Sequence, residues 1–252
     1  MTISKIAVAG ATGRLGRHAV DVLTEQRHSV VPISRATGVD IINGDGLDDA
    51  LTGTDVIIDV ASWHASDQEA AAEFFRTATR NLHEAGRKAG AGRIVAVSII
   101  GADKATAGFI AAQQVHEHEH LAGPLPVRLL RAAQFHELVG QLLEWRQGDT
   151  AYVPDLPAQL VAARTVAEAL ARMATDTHTP DSGAPIPEIA GPRKETMGAA
   201  AVLLGARCGV NVVRVDNPDM PDADLAATGA FLPGPHAELA GPTFQEWLES
   251  QP

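Results

Sequence analysis

The chain has 252 residues, 31 acidic against 20 basic, for a formal net charge of −11. That surface repels phosphate backbones and argues against general nucleic-acid binding, and the single cysteine, Cys208, excludes an intrachain disulfide and fits a cytosolic compartment. No apolar run reaches the roughly 20 residues of a membrane span, and Met1 to Lys5 leads straight into a strand-like segment, so no signal peptide is expected.

The first element is a short buried strand, Lys5 to Ala9, which Gly10 ends. Leu15, Ala19, Val22 and Leu23 then recur at helical spacing between Arg14 and Gln26. Apolar runs at Ser29–Ile33 and Val39–Ile42 read as strands two and three, the latter closed by Asn43-Gly44-Asp45-Gly46. Asp55 to Ala61 is strand four, and an alanine-rich helix follows over about Asp67 to Ala89. Arg93–Ser98 is strand five, about Phe109 to Leu121 is helical, and Val127–Leu130 is strand six. Short apolar strands alternating with helices predict an α/β fold, a Rossmann-type doubly wound parallel sheet covered on both faces. Beyond about residue 150 proline and glycine cluster, and only three helical segments stand out, at 166–174, 195–204 and 243–248. The expected organisation is a nucleotide-binding domain over 1–150 and a smaller substrate lobe over 151–252, interleaved with it.

Gly10-Ala11-Thr12-Gly13-Arg14-Leu15-Gly16 fits G-x-x-G-x-x-G between the first strand and the first helix. Gly10 permits a tight turn, Gly13 lets a pyrophosphate approach the backbone, and Gly16 lets the helix pack closely on the strand. The helix N-terminus adds free N–H groups and positive potential. The end of strand two selects the nucleotide, where a carboxylate would bind the ribose of NAD. Ser34-Arg35 stands there instead. The planar fork of Arg35 suits a 2′-phosphate, so the expected cofactor is NADP(H), with Arg14 adding to the same pocket. Asp45 is placed either to meet the adenine edge or to form a turn, and Ala61-Ser62 should line the groove at the carboxyl ends of the strands.

On these motifs the chain resembles the atypical short-chain dehydrogenase/reductases, in their NmrA-like NAD(P)H-binding branch. Further similarity lies in Arg93–Gly101 with its Ser98, in Leu129–His136, in Ala190-Gly191-Pro192 and in Thr243–Leu248. The resemblance implies a nicotinamide pocket lined by the exit of strand six. It also exposes a departure. Members of the wider superfamily donate a proton from a tyrosine whose pKa a lysine depresses; here Phe109 stands in the tyrosine position and Gln113 in the lysine position. The only tyrosine, Tyr152, is followed four residues later by Leu156, so no Tyr-x-x-x-Lys pair exists anywhere in the chain. Gln113 keeps the ability to hydrogen-bond a ribose without charge.

Proton donors must then come from elsewhere. His136, after strand six, and His64, after strand four, are the candidates, with Ser98 placed to orient a carbonyl. His116-Glu117-His118-Glu119-His120 puts His116 and His120 one helical turn apart, a metal-ligand spacing without an identifiable third ligand. The reading adopted is a solvated helix face, with no metal. Trp63, Phe135, Trp145 and Tyr152 fall near the cleft, Trp145 being expected in the core. The expected function is an NADPH-dependent oxidoreductase that passes hydride to a flat, quinone-like or enone small molecule, with no nucleic-acid or membrane partner and with homodimerisation left open. The alternatives are a non-catalytic NADP(H)-sensing regulator and an isomerase or cyclase acting on a small metabolite.

Overall fold

The computed structural model describes residues 4–63, 67–176, 185–216 and 220–251. The first half alternates strand and helix: β1 (Lys5–Ala9), α1 (Arg14–Glu25), β2 (Ser29–Ile33), α2 (Leu47–Leu51), β3 (Val56–Asp59), α3 (Gln68–Ala89), β4 (Arg93–Ile99), α4 (Gly108–Ala122) and β5 (Val127–Ala132). The second half continues with α5 (His136–Glu144), β6 (Thr150–Pro154), β7 (Pro157–Ala158), α6 (Ala163–Thr175), β8 (Glu188–Ala190), β9 (Glu195–Thr196), α7 (Met197–Cys208), β10 (Asn211–Val215), α8 (Ala223–Ala227), β11 (Glu238–Leu239) and α9 (Phe244–Ser250).

Seven strands form a parallel sheet in the order β11-β8-β5-β4-β3-β1-β2. Every residue of β3 is buried, as expected for a strand covered on both faces. Side chains alternate between two apolar layers. Ile6, Val8, Ile58 and Val95 pack with Leu15, Ala19, Leu23 and Val166, from α1 and α6. Ala7, Ala9, Ile57, Ile94 and Ala96 pack with Leu82 and Ala85 of α3 and with Leu47 and Leu51 of α2. The strand order changes direction at β1, with β2 on one side and β3, β4 and β5 on the other, and in such sheets the crevice at that switch point takes the ligand.

A smaller core joins Val139 and Leu143 of α5 to Ala151 and Val153 of β6, Ala200 and Ala201 of α7, and Phe244 and Leu248 of α9. Here β6 and β10 pair in parallel. Helix α5 enters this core from before residue 150, whereas α6, β8 and β11 from beyond it complete the central sheet and its cover.

Two expectations need correction. Val39–Ile42 is not a strand: β2 ends the sheet, and residues 39–46 fold into turns in which the Asp40 N–H donates to the Asp45 carbonyl and the Gly44 N–H to the Asp40 carbonyl. Val39 supplies an apolar side chain to the core without a strand partner. Trp145 is 67% exposed rather than buried, because α5 ends there and turns it outward.

Candidate active site

The glycine-rich turn is held to its neighbours by backbone contacts. The N–H groups of Gly10 and Ala11 both donate to the Ile33 carbonyl at the end of β2, at 3.0 and 3.2 Å. Gly10 adopts a left-handed φ of +79°, and a Cβ on it would lie 2.8 Å from the Ala61 backbone. A Cβ on Gly16 would come within 2.0 Å of the Gly10 carbonyl, so helix and turn touch as only glycine allows. Thr12 and Gly13 face solvent, Leu15 is buried in the core below, and Gly13 caps α1 without any side-chain acceptor on the first-turn N–H groups. The first turn carries no acidic residue. An open helix N-terminus with no competing carboxylate has N–H groups free to receive an anion.

Ser34 and Arg35 follow β2 directly. The Ser34 hydroxyl accepts the Thr37 N–H at 3.3 Å and so shapes the turn that presents Arg35. Arg35 is exposed and makes no ion pair with any described residue. Arg14, by contrast, donates from Nη2 to Gln141 Oε1 on α5 at 3.2 Å. Asp45 sits in its turn, where its carboxylate accepts from Asn43 Nδ2 at 2.8 Å. Ala61 packs beneath Gly10, and Ser62 is exposed beside it.

Ser98, near the carboxyl end of β4, and Gln113, on α4, are both buried. Ser98 Oγ and Gln113 Oε1 have no hydrogen-bond partner among the described residues. Buried polar atoms are rarely left unmade, and a bound nicotinamide ribose and acceptor carbonyl would satisfy them. Phe109, on the same helix, packs 5.9 Å from the Phe75 ring and offers no proton.

The histidines depart from expectation. His136 is fully buried, not beside a cleft: its Nε2 donates to the Pro242 carbonyl at 3.1 Å, and its ring packs on Phe244 and Trp247. It begins α5, which the apolar stripe of Val139 and Leu143 turns into the small lobe. Burial lowers its pKa from 6.5 to about 4, against the carbonyl contact that raises it. His64 lies outside the described residues. His116 and His120 are not solvated: both are buried against β3, and only His118 points outward. Beside them lies Asp59, the last residue of β3, a third side chain that sequence reasoning did not find. Burial pushes the Asp59 carboxyl up, but hydrogen bonds from His116 and His120 outweigh it and hold the group well below the usual carboxylate range. Burial and the neighbouring His116 lower His120 to about 4.

The sealed position of His136 has a consequence for stability. The unfolded residue takes a proton near pH 6.5 and the folded one only near 4. Its contribution is therefore complete above 6.5 and is lost as the pH falls through about 4, roughly 3 kcal/mol over the window. Urea unfolding at pH 7 and pH 4.5 should show a smaller difference in His136→Phe, which keeps the ring stack. An unchanged difference would assign the acid sensitivity elsewhere.

The NAD(P)H-binding family model matches residues 10–134. No curated protein matches the chain in sequence. Similar solved structures include MoeE5 in complex with UDP-glucose and NAD, at 18% identity and TM-score 0.72, covering 98% of this chain and 97% of that one. A short-chain dehydrogenase/reductase superfamily protein from Agrobacterium tumefaciens with bound NAD matches at 16% identity and TM-score 0.69, covering 97% and 95%. The NADPH-dependent quinone oxidoreductase QOR2 of Escherichia coli, complexed with NADPH, matches at 19% identity and TM-score 0.66, covering 97% and 98%. At these identities the likeness establishes the shared Rossmann-like fold. No described helix is long and apolar enough to cross a membrane.

Proposed function

We propose that this NAD(P)H-binding family protein, whose family domain spans residues 10–134, is an NADPH-dependent oxidoreductase acting on a flat conjugated acceptor of the quinone or enone class. The observation that carries this reading is the start of α4, where Phe109 and Gln113 stand in place of the tyrosine and lysine that a carbonyl reductase would need. A quinone or enone accepts hydride at an electron-poor carbon, and its product oxygen can take a proton from water.

When bound, the cofactor supplies the hydride. The chain supplies binding and orientation. The N–H groups around Gly13 and the α1 terminus hold the pyrophosphate, Arg35 the 2′-phosphate, and Gln113 Oε1 a ribose hydroxyl. Ser98 Oγ is the donor for an acceptor carbonyl. The NADPH-binding quinone oxidoreductase QOR2, similar in fold, supports the choice of acceptor class.

The test is the rate of NADPH consumption against a panel of quinones and enones. Phe109→Tyr combined with Gln113→Lys should leave that rate within about tenfold, since general acid catalysis contributes some 10²–10⁴ only where it is used. A larger loss confined to kcat, with the KM for NADPH unchanged, would mean that residues 109 and 113 take part in the native chemistry rather than in holding the ribose. A second reading, an NADP(H) sensor without turnover, is favoured by the enclosure of His136, which removes one proton donor from the cleft. NADPH binding with no oxidation by any acceptor would select it.

A further inference from the structure

Asp59 lies at the end of β3 between Ala9 and Ala96 of the flanking strands, whose small side chains leave space beside it. Its Oδ1 accepts the Ala61 N–H at 2.9 Å. Its Oδ2 faces His116 Nε2 at 3.2 Å and His120 Nε2 at 3.1 Å, and the two ring nitrogens are 3.0 Å apart. All three side chains are at most 2% exposed.

Protons alone leave this triangle incomplete. If both Nε2 atoms carry hydrogen, they meet donor to donor. If only one does, the lone pair of the other faces the carboxylate oxygen. In neither arrangement are all three edges hydrogen-bonded. A single cation resolves all three at once. Zinc–nitrogen and zinc–oxygen bonds of about 2.0–2.2 Å would place an ion about 1 Å out of the plane of the three atoms, and the edges are close to the ~3.3 Å of a tetrahedron of that size.

We propose that Asp59, His116 and His120 form a binding site for a divalent transition cation of the zinc class. Two imidazoles and one carboxylate suit zinc, and cobalt as its probe, better than calcium or magnesium. The ion takes the Nε2 lone pairs of two neutral imidazoles, and a hydrogen that stood on Nε2 moves to Nδ1 of the same ring. His120 Nδ1 meets His83 Nε2 at 3.3 Å; for His120 to hold an ion through Nε2 its hydrogen sits on Nδ1 and His83 Nε2 accepts it, which moves the His83 hydrogen to Nδ1 in place of the 3.3 Å contact with the Leu125 N–H. His83 also lines a surface cavity between α3 and α4 with Arg80, Glu84 and Glu119. The ion would clamp α4, which carries Gln113, to the strand whose next residues, Val60 and Ala61, support Gly10. This assignment is independent of the proposed redox chemistry.

The experiment is metal analysis of the full chain produced with added zinc and passed through chelator-free buffer, followed by extraction and titration with cobalt. The expected result is one ion per chain, with a four-coordinate cobalt spectrum saturating at one equivalent and a higher melting temperature when loaded. The double variant His116→Asn, His120→Asn should retain less than a tenth of the metal. Absence of zinc and of a cobalt spectrum in the unaltered chain overturns the proposal, as does full retention by the folded variant. Should the variant fail to fold, nitrogen-15 NMR of the histidine rings in the unaltered chain decides. Zinc-induced shifts at Nε2 of His116 and His120 support the site, and shifts confined to other histidines, such as the exposed His118, overturn it.

Discussion

Gly13→Val is expected to weaken NADPH binding by more than 100-fold while the protein stays folded. Gly13 has an ordinary φ of −74°, so valine meets no backbone strain there. A Cβ would sit 3.1 Å from the Gly10 carbonyl, a close but adjustable contact. The added methyl groups would project over the exposed turn, into the volume the pyrophosphate needs, and shield the N–H groups of α1 from it. Gly16→Val makes a useful contrast. There the Cβ meets the Gly10 carbonyl at 2.0 Å, so the fold itself should suffer. Thermal shifts with and without NADPH separate the two, and a wild-type ligand shift in Gly13→Val would show that the phosphates bind elsewhere.

Arg35→Ala should cost roughly 10- to 100-fold in NADPH affinity and leave NADH affinity nearly unchanged. A charge-assisted hydrogen bond contributes about 1.5–3 kcal/mol, and each 1.4 kcal/mol is a factor of ten. Arg35 is suited to the task because it is exposed and makes no ion pair with a described residue, whereas Arg14 is already bonded to Gln141. Since Ser34 is engaged by Thr37 in shaping the turn, it cannot substitute as a phosphate partner without loosening that turn. Calorimetric titration with both nucleotides gives the answer; equal losses for the two would assign Arg35 a purely local role.

The sheet and the glycine-rich turn were legible because their signals are local. Continuous apolar runs mark strands buried on both faces, 3.6-residue spacing marks the helices that cover them, and two of the three spaced glycines, Gly10 and Gly16, report backbone contacts that only glycine permits. The same local reasoning misjudged Val39–Ile42. An apolar run can be buried by a turn packing on α2 and the sheet, and nothing within four residues reveals that β2 is the last strand.

The fold class, the glycine-rich turn and the absence of any Tyr-x-x-x-Lys pair could be read along the chain. The tertiary structure decided which polar side chains are buried together. Asp59 and His120 are 61 residues apart, and His136 is 106 residues from the carbonyl that holds it. Helical spacing predicts which residues share a face, but not whether that face meets solvent or a strand. For α4 it meets β3 at Asp59, and a pair of histidines that reads as surface is buried with that carboxylate. Burial depends on contacts between distant segments, and the free energy of a charge depends on burial. The chemistry available to these histidines therefore exists only once the sheet has closed around them.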